Sequence, residues 1–196
     1  MRQRTVTDPD VLKALTHPLR RRLYRLLSQL GPANVRMLSE RTGADPGRLS
    51  YHLRELARRE FIEEVPELAR DGRERWWRAV DETWGWTTSE LGDPAAQAVG
   101  ESLYQLGVSE EFQRLRDYES NRAQFGHDWV AAAHSSTTNL RLTPAELTEL
   151  CEELNATLRR WSADVGRIDQ ASRPEDRPDD GRTPVFLFFH AFPEQP

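Results

Sequence analysis

The chain has 196 residues, a length that fits one domain of ordinary size or two small ones. Its formal charge of -5 conceals two unlike halves, because residues 1–80 carry a net charge of +6 and residues 81–196 a net charge of -11. The longest run of large apolar residues, Val185 to Phe189, is far shorter than the about 20 residues that span a bilayer. We therefore exclude a membrane protein, and because charges and Pro interrupt the N-terminus before any secretory signal, we expect a cytoplasmic location.

Capping residues and apolar spacing predict four helices in the first 60 residues. Asp8 with Pro9, Asn34, and Asp45 with Pro46 are typical helix starts, whereas Gly31 and Gly43 are typical ends. Between the first two helices, Pro18 follows His17 and can open a new helix with a regular stripe of leucines. The predicted helices run from Pro9 to about His17, from Pro18 to Leu30, from about Val35 to Thr42 and from Pro46 to about Arg59.

The pattern then changes to that of a β-hairpin. Residues 61–68 (FIEEVPEL) and 73–80 (RERWWRAV) are short β-prone stretches. They are separated by ARDG, whose Asp71-Gly72 pair is a hairpin turn signal. This predicts a two-stranded ribbon directly after the fourth helix.

Helical patterning returns from about Asp81. We predict helices from Pro94 to Gln105, around Glu110 to Tyr118 and from Gln124 to His134, then a long one that Thr143 caps with Glu146 in a capping box. The long helix has a one-sided apolar face: Leu147, Leu150, Cys151, Leu154, Leu158 and Trp161. Residues 172–184 have the composition of a flexible linker. The closing stretch VFLFFHAF, residues 185–192, predicts a strand buried on both faces, for which no partner strand is evident.

The order of helices, tight turn, helix and hairpin is that of a winged helix-turn-helix module, in which the last helix enters the DNA major groove. On that fourth helix the leucines Leu49, Leu53 and Leu56 point inward and leave the polar residues outward. Arginine can read guanine edges, and Ser, Tyr and His can contact bases, phosphates or sugars. The predicted DNA-binding residues are Arg48, Ser50, Tyr51, His52 and Arg54 on the helix, and Arg70, Arg73 and Arg75 near the hairpin tip.

Three motifs in this region, in order, resemble the ArsR-type winged-helix transcriptional regulators. They are HPLRRRLYRLL from His17, LSERTGADPGRLSYHLRELARREFIEEV from Leu38, and DGRERWWRAV from Asp71. The resemblance covers about residues 8–80. It implies a homodimeric repressor or activator that binds an inverted repeat, with Ser50, His52 and their exposed neighbours at the DNA.

The chain departs from the metal-sensing relatives, because its third helix, VRMLSERT, contains no cysteine. Cys151 is the only cysteine of the chain, so an intrachain disulfide and a multi-cysteine metal site are excluded. His127 and His134 share a helix face, but two histidines at this spacing are weak evidence, and we predict no metal and no cofactor. Neither a phosphate loop, a nucleophile elbow nor HExxH is present, so we do not expect an enzyme.

The sequence thus predicts a mainly α protein with a small β-hairpin wing. Residues 1–80 form a winged helix-turn-helix DNA-binding domain, and residues 81–196 a helical dimerisation and effector region with a C-terminal strand. The expected partners are double-stranded DNA, a second copy of the chain and a small-molecule effector whose site is unknown. The alternative is a winged-helix protein-interaction module without sequence-specific DNA binding.

Overall fold

The computed structural model describes residues 2–6, 8–72, 74–80, 82–85, 91–165 and 168–194, the strands at 2–5 and 82–85 by their backbone alone. Its first half contains the four predicted helices: α1 (Pro9–Ala14), α2 (Pro18–Leu30), α3 (Val35–Thr42) and α4 (Pro46–Arg58). Each begins after a capping side chain that accepts a hydrogen bond from the first turn, and these four caps are Asp8, His17, Asn34 and Asp45. The predicted starts are confirmed, and α1 ends slightly before the predicted His17.

The helices α2, α3 and α4 enclose a leucine core. Leu23 and Leu27 of α2 and Leu38 of α3 are fully buried with the inward face of α4. Phe61, directly after α4, and Trp77 of the wing close the same cluster. Burial of each such side chain stabilises the fold by about 1.5–3 kcal/mol, so this cluster fixes the relative positions of the helices.

A three-stranded antiparallel sheet packs against these helices. Strand β3 (Ile62–Glu64) pairs with β4 (Trp76–Ala79), as the hairpin prediction requires. The sheet also contains β2 (Ala33–Asn34), which pairs with the other edge of β4. Two residues between Pro32 and a helix start carry too little pattern to predict a strand, so the sequence analysis missed β2.

The connection from β3 to β4 is longer than the predicted turn. It contains a 3₁₀ turn at Pro66–Leu68, and the Asp71-Gly72 pair lies beyond that turn in a broad loop. The backbone N–H of Val65 donates to Trp76 O at 2.8 Å, so pairing stops just past Glu64. Pro66 begins the 3₁₀ turn, so the chain leaves the sheet after Val65 and the hairpin opens into a wing loop here.

A second small sheet joins the N-terminal segment to the region after the wing. Strand β1 (Arg2–Thr5) runs parallel to β5 (Glu82–Gly85), with Arg2 opposite Glu82. The expectation of helical patterning from about Asp81 is therefore wrong for residues 82–85. The partner of β5 is not a neighbour in the chain, so no hairpin turn signal marks this pairing.

The second half contains α5 (Pro94–Asn121), α6 (His127–Ala132) and α7 (Pro144–Asp164). α5 is one continuous helix of 28 residues that joins two predicted ones, and it packs on α1 through its first turns, where Ala96, Gly100 and Leu103 are buried. α7 begins with the predicted capping box of Thr143 and Glu146. Among the described residues after Leu103, none is buried.

The prediction of a C-terminal strand is wrong. Residues 185–192 form no strand, and Val185 is 73% exposed rather than buried. The segment lies along α5, where the Phe188 ring centroid is 5.8 Å from that of Phe112 and His190 Nε2 is 2.7 Å from a Glu111 carboxylate oxygen. Apolar composition predicted burial, but among the described residues after Gly85 no strand is present to pair with this segment.

The prediction of a flexible linker at residues 172–184 is also partly wrong, because the first of these residues dock on the helices and the wing. We name residues 168–177 the strap. Arg173 donates through Nε to the carbonyl oxygen of Leu68 at 2.8 Å, and Arg177 donates through Nη1 to that of Leu30 at 2.6 Å. These carbonyls end a 3₁₀ turn and α2, where intrahelical partners run out. Charged composition predicted exposure and could not reveal these acceptors.

Gly31 makes the approach of the strap to α2 possible. Its φ of +76° ends the helix in a conformation that side chains rarely adopt, and a Cβ there would lie 2.6 Å from the carbonyl oxygen of Asp169. The glycine that stops α2 therefore also leaves the space that the strap fills.

We predict that Arg177→Ala lowers the free energy of unfolding by about 1.5–3 kcal/mol, because it removes charged hydrogen bonds to Leu30 and to the strap backbone. Urea denaturation of the whole chain measures this. Arg182→Ala is the matched control, since Arg182 is exposed and its side chain pairs with the nearby Asp180. Equal stability of the two variants would show that the hydrogen bonds of Arg177 contribute nothing to the free energy of unfolding.

Candidate nucleic-acid interface

The turn between α3 and α4 is held by hydrogen bonds at both ends. Gly43 ends α3 with a φ of +70°, and its N–H donates to Ser39 O at 2.8 Å. The Ser39 hydroxyl in turn donates to Ala44 O, while Asp45 accepts from Gly47 N–H and Arg48 N–H. This short, capped connection fixes the angle between the two helices and thus the direction in which α4 presents its outer face.

Most of the predicted outer face of α4 does point to solvent. Arg48 and Arg54 are exposed, and Tyr51 is 54% exposed between them. Ser50 is half-buried, and its hydroxyl donates to Pro46 O at 2.8 Å within the helix, which leaves its oxygen free to accept. The guanidinium of Arg54 folds back on Ser50 O at 3.2 Å, a weak contact that a stronger acceptor can replace.

His52 does not point outward, and the prediction that it does is wrong. It is only 6% exposed and belongs to the inner face with Leu49, Leu53 and Leu56. The spacings of three and four residues from Leu49 to His52 and from His52 to Leu56 were a signal for burial. The resemblance to the family motif outweighed that signal in the sequence analysis.

His52 packs against His17, a residue that the sequence analysis did not single out. Their ring centroids lie 4.3 Å apart, and His17 Nδ1 accepts the Leu19 N–H at 3.1 Å as the cap of α2. The capping role requires an unprotonated Nδ1. Among the described residues, Nδ1 of His52 has no hydrogen-bond partner.

Both histidines have a pKa below the ordinary value. Burial is the main cause for each, and the positive charges of Arg20 and Arg48 lower both further. The neighbouring His17 also lowers the pKa of His52, whereas Glu55 raises it. The neutral pair thus joins the start of α2 to the inner face of α4.

The wing is anchored to the helices through Glu74. Its carboxylate accepts from the Arg70 N–H at 3.0 Å and from Asn34 Nδ2 at 2.7 Å, and Asn34 Oδ1 also accepts the Met37 N–H as the cap of α3. The Arg70 N–H is the main cause that keeps the pKa of Glu74 below its usual range, and the Asn34 amide is among the smaller causes. One asparagine therefore connects the start of α3 to the wing.

The predicted wing arginines lie near acids of the same chain. Arg70 is exposed and its Nη2 is 3.5 Å from Glu175 of the strap, and Arg75 is exposed with its Nε 3.7 Å from Glu64. Such exposed pairs are weak, so both guanidinium groups are available to a polyanion. Arg73 lies outside the described residues.

An open cleft of about 650 Å³ separates the helices from the wing. Arg54 of α4, Arg75 of the wing and Arg36 of α3 line it, together with the acids Asp71 and Glu74, and Arg36 was not among the predicted residues. Arg36 is exposed and pairs with Glu40 at 2.8 Å. Three guanidinium groups around one cleft can bind phosphate oxygens or the acceptor edges of bases.

Other kinds of site find little support in the described part of the chain. There, no group of three or more His, Cys, Asp or Glu is arranged to hold a metal ion. His127 contacts its neighbour Asp128 at 3.4 Å. No helix of the described ranges is long and apolar enough to cross a bilayer.

Comparison with known proteins identifies the N-terminal region. Residues 15–65 match a family model described as a helix-turn-helix domain, so the chain carries such a domain and the resemblance to ArsR-like helix-turn-helix proteins is confirmed for these residues. This supports a DNA-binding transcriptional regulator. The match ends before β4 and leaves the second half unassigned. Comparison with curated proteins gave no match.

Two solved structures are similar over part of the chain. One is a possible transcriptional regulatory protein, fragment 1–100, from Mycobacterium bovis, with 22% identity over 52% of this chain and 88% of its own. The other is a possible transcriptional regulator for arsenical resistance, with 28% identity over 55% of this chain and 94% of its own. Their TM-scores of 0.33 and 0.32 are too low to establish a common overall fold.

We predict that the protein loses stability as the pH falls below about 6.5, because the unfolded chain then takes up protons that folded His17 and His52 resist. The loss develops as the pH falls toward the lowered folded-state pKa values. Urea unfolding at about pH 7.5 and about pH 5.5 measures it. In the control variant, which carries His17→Asn and His52→Gln, the difference in unfolding free energy between the two pH values should shrink because both histidines are gone. Asn at position 17 can still cap α2. An unchanged difference in that variant would assign the effect to other groups.

Proposed function

We propose that this protein is a sequence-specific DNA-binding transcriptional regulator that acts as a homodimer on an inverted-repeat operator. The observation that carries the proposal is the cleft between α4 and the wing, which Arg54 and Arg75 both line. The second helix of a helix-turn-helix enters the major groove, and here that helix presents exposed arginines beside a wing that carries further arginines.

The exposed side chains of α4 have the chemistry for base readout. Arg48 and Arg54 can donate two hydrogen bonds each to guanine, and Tyr51 can contact a sugar or a thymine methyl group. The oxygen of Ser50 can accept from a base amino group. His52 is buried and supports this surface from inside, so we assign it no DNA contact.

The wing arginines have the chemistry for phosphate binding. Arg70 and Arg75 are held only by weak surface pairs, and a phosphate can replace Glu175 and Glu64 as their partners. By its place in the sequence, Arg73 belongs to the same group. These contacts position the protein on the duplex without reading its sequence.

The charge distribution supports one orientation on DNA. The +6 half, residues 1–80, is attracted to the phosphates, and the -11 half, residues 81–196, is repelled by them. In a two-fold dimer the two copies of α4 would lie about 34 Å apart, one turn of DNA. We assign dimerisation, and binding of a small-molecule effector, to the second half.

A protein-interaction module is the second candidate, favoured by the many apolar side chains exposed after Leu103. Substitutions on α4 should weaken DNA binding by the proposed regulator, whereas the interaction module should be insensitive to them. Footprinting on the DNA that flanks the gene separates them, because the proposed regulator protects an inverted repeat. The footprint would be made on the folded dimer with a cell extract that can supply a small-molecule effector. Uniform protection of the DNA, or no protection, would then favour the interaction module.

We predict that Arg54→Ala weakens operator binding by about 1–3 kcal/mol and relaxes specificity at one base pair, because one bidentate contact is lost. Thermal stability should stay nearly unchanged, since the side chain is exposed. Fluorescence anisotropy with operator and scrambled duplexes measures both affinities. Arg116→Ala on α5 is the control, an exposed arginine of the acidic half that contacts Gln113. Full operator affinity of Arg54→Ala would remove Arg54 from the reading surface.

We predict that Arg75→Ala weakens binding to operator and unrelated DNA by similar factors, because it removes a phosphate contact. The slope of log affinity against log salt should become less steep by about one. Titrations at several salt concentrations test this. A loss restricted to the operator sequence would make Arg75 a base-reading residue instead.

A further inference from the structure

α7 carries an apolar face that the single chain covers only in part: four of its six residues are half-buried and two are exposed. Leu154 is 42% exposed, Trp161 is 56% exposed, and no residue of the helix is buried. The face extends over almost the whole helix and consists of Leu147, Leu150, Cys151, Leu154, Leu158 and Trp161. A continuous stripe of this kind on a 21-residue helix is typical of a helix that packs against another.

The charges beside this face divide the helix into two halves of opposite sign. Its N-terminal half carries Glu146, Glu149, Glu152 and Glu153, whereas Arg159, Arg160 and Asp164 lie in its C-terminal half, so the two halves have net charges of -4 and +1. A two-fold interface brings the same surface of both copies together, so each surface must complement itself. α7 meets this condition only when the two helices run in opposite directions, because a parallel pair would place acids against acids.

We propose that α7 packs antiparallel against α7 of a second copy, around a two-fold axis close to Leu154. This rests on the proposed homodimer and assigns its contact surface. With Leu154 at the axis, Leu147 of one chain lies opposite Trp161 of the partner subunit, each about 10 Å from the axis along the helix. Arg159 and Arg160 then lie within about one turn of Glu149 of the partner subunit, where unlike charges attract.

The partner that packs against the apolar face of α7 is a second copy of the chain rather than another protein, because of the charges beside that face. A partner of uniform sign would repel one half of α7, whereas an antiparallel copy satisfies both halves at once. The opposed directions also bring each positive helix N-terminus near a negative C-terminus, which favours the same arrangement. The apolar stripe supplies the affinity, and the charges select the direction.

Cysteine cross-linking tests the direction, starting from Cys151→Ser so that no native thiol remains. One protein then carries Leu147→Cys and the other Trp161→Cys. Mixed under mild oxidation, they should form a disulfide-linked dimer of twice the 22.7 kDa chain mass, whereas neither should form it alone. Cross-linking of each protein with itself would overturn the proposal in favour of a parallel pair. No cross-link in the mixture would overturn it as well.

Charge reversal gives a test that leaves the apolar face intact. Arg159→Glu with Arg160→Glu changes two exposed side chains, so folding should be retained, and dimer dissociation measured by sedimentation should become about tenfold easier. Mixing with the Glu149→Arg, Glu152→Arg variant should restore a heterodimer. The proposal fails if the reversal leaves dimerisation unchanged.

The cross-linked dimer also separates this inference from the proposed function. If it forms as expected but binds operator and scrambled DNA equally, the regulator proposal fails and the α7 pairing stands. If the protein protects an inverted repeat while the cross-linking contradicts the antiparallel pair, the regulator stands and the α7 pairing fails.

Discussion

Burial of one face of α4 is the constraint on which the proposed DNA-binding surface depends. Leu49, Leu53 and Leu56 are fully buried, and with 3.6 residues per turn their positions determine which side chains of the helix can face outward. Arg48, Tyr51 and Arg54 are exposed for this reason. The same geometry places His52 inside, where a neutral imidazole fills the space beside His17. Core packing and the composition of the reading surface are thus two consequences of one helical period.

The wing depends on a second set of constraints, which are polar. Glu74 connects it to the cap of α3 through Asn34, and Arg173 of the strap holds the carbonyl of Leu68 at its other side. The Arg173 contact satisfies a carbonyl at the end of a 3₁₀ turn, where the backbone lacks partners of its own, and the Glu74 contact holds the side chain that caps α3. A residue far along the chain therefore helps to fix the wing relative to α4. Contacts from both the first half of the chain and the strap therefore fix the position of the wing.

Local signals explain what the sequence could predict. The starts of α2, α3, α4 and α7 depend on a cap and a neighbouring Pro or leucine stripe, and each is visible within a few residues. Contacts between distant residues explain the differences. The two residues of β2, the pairing of β1 with β5 and the docking of the strap all depend on groups that lie far apart in the chain, so no local pattern marks them.

The candidate site shows the same division. Exposure of Arg48 and Arg54 followed from the spacing of the leucines, whereas the burial of His52 was missed because a motif was given more weight than the period. Arg36 was missed because α3 contributes to the cleft only through its packing against α4 and the wing. The role of Glu74 as an anchor depends on Asn34, 40 residues earlier, which no spacing rule connects to it.

The distribution of buried residues separates the chain into parts that fold for different reasons. The core lies between Val6 and Leu103, and after Leu103 the described residues include large apolar side chains but none that is buried. Helices of this length are marginal in water unless an amphipathic face is packed. Under the proposed dimer, a second copy of the chain covers part of the leucines and aromatic rings that lie after Leu103. The same two-fold axis would place two copies of α4 on one face of a DNA duplex.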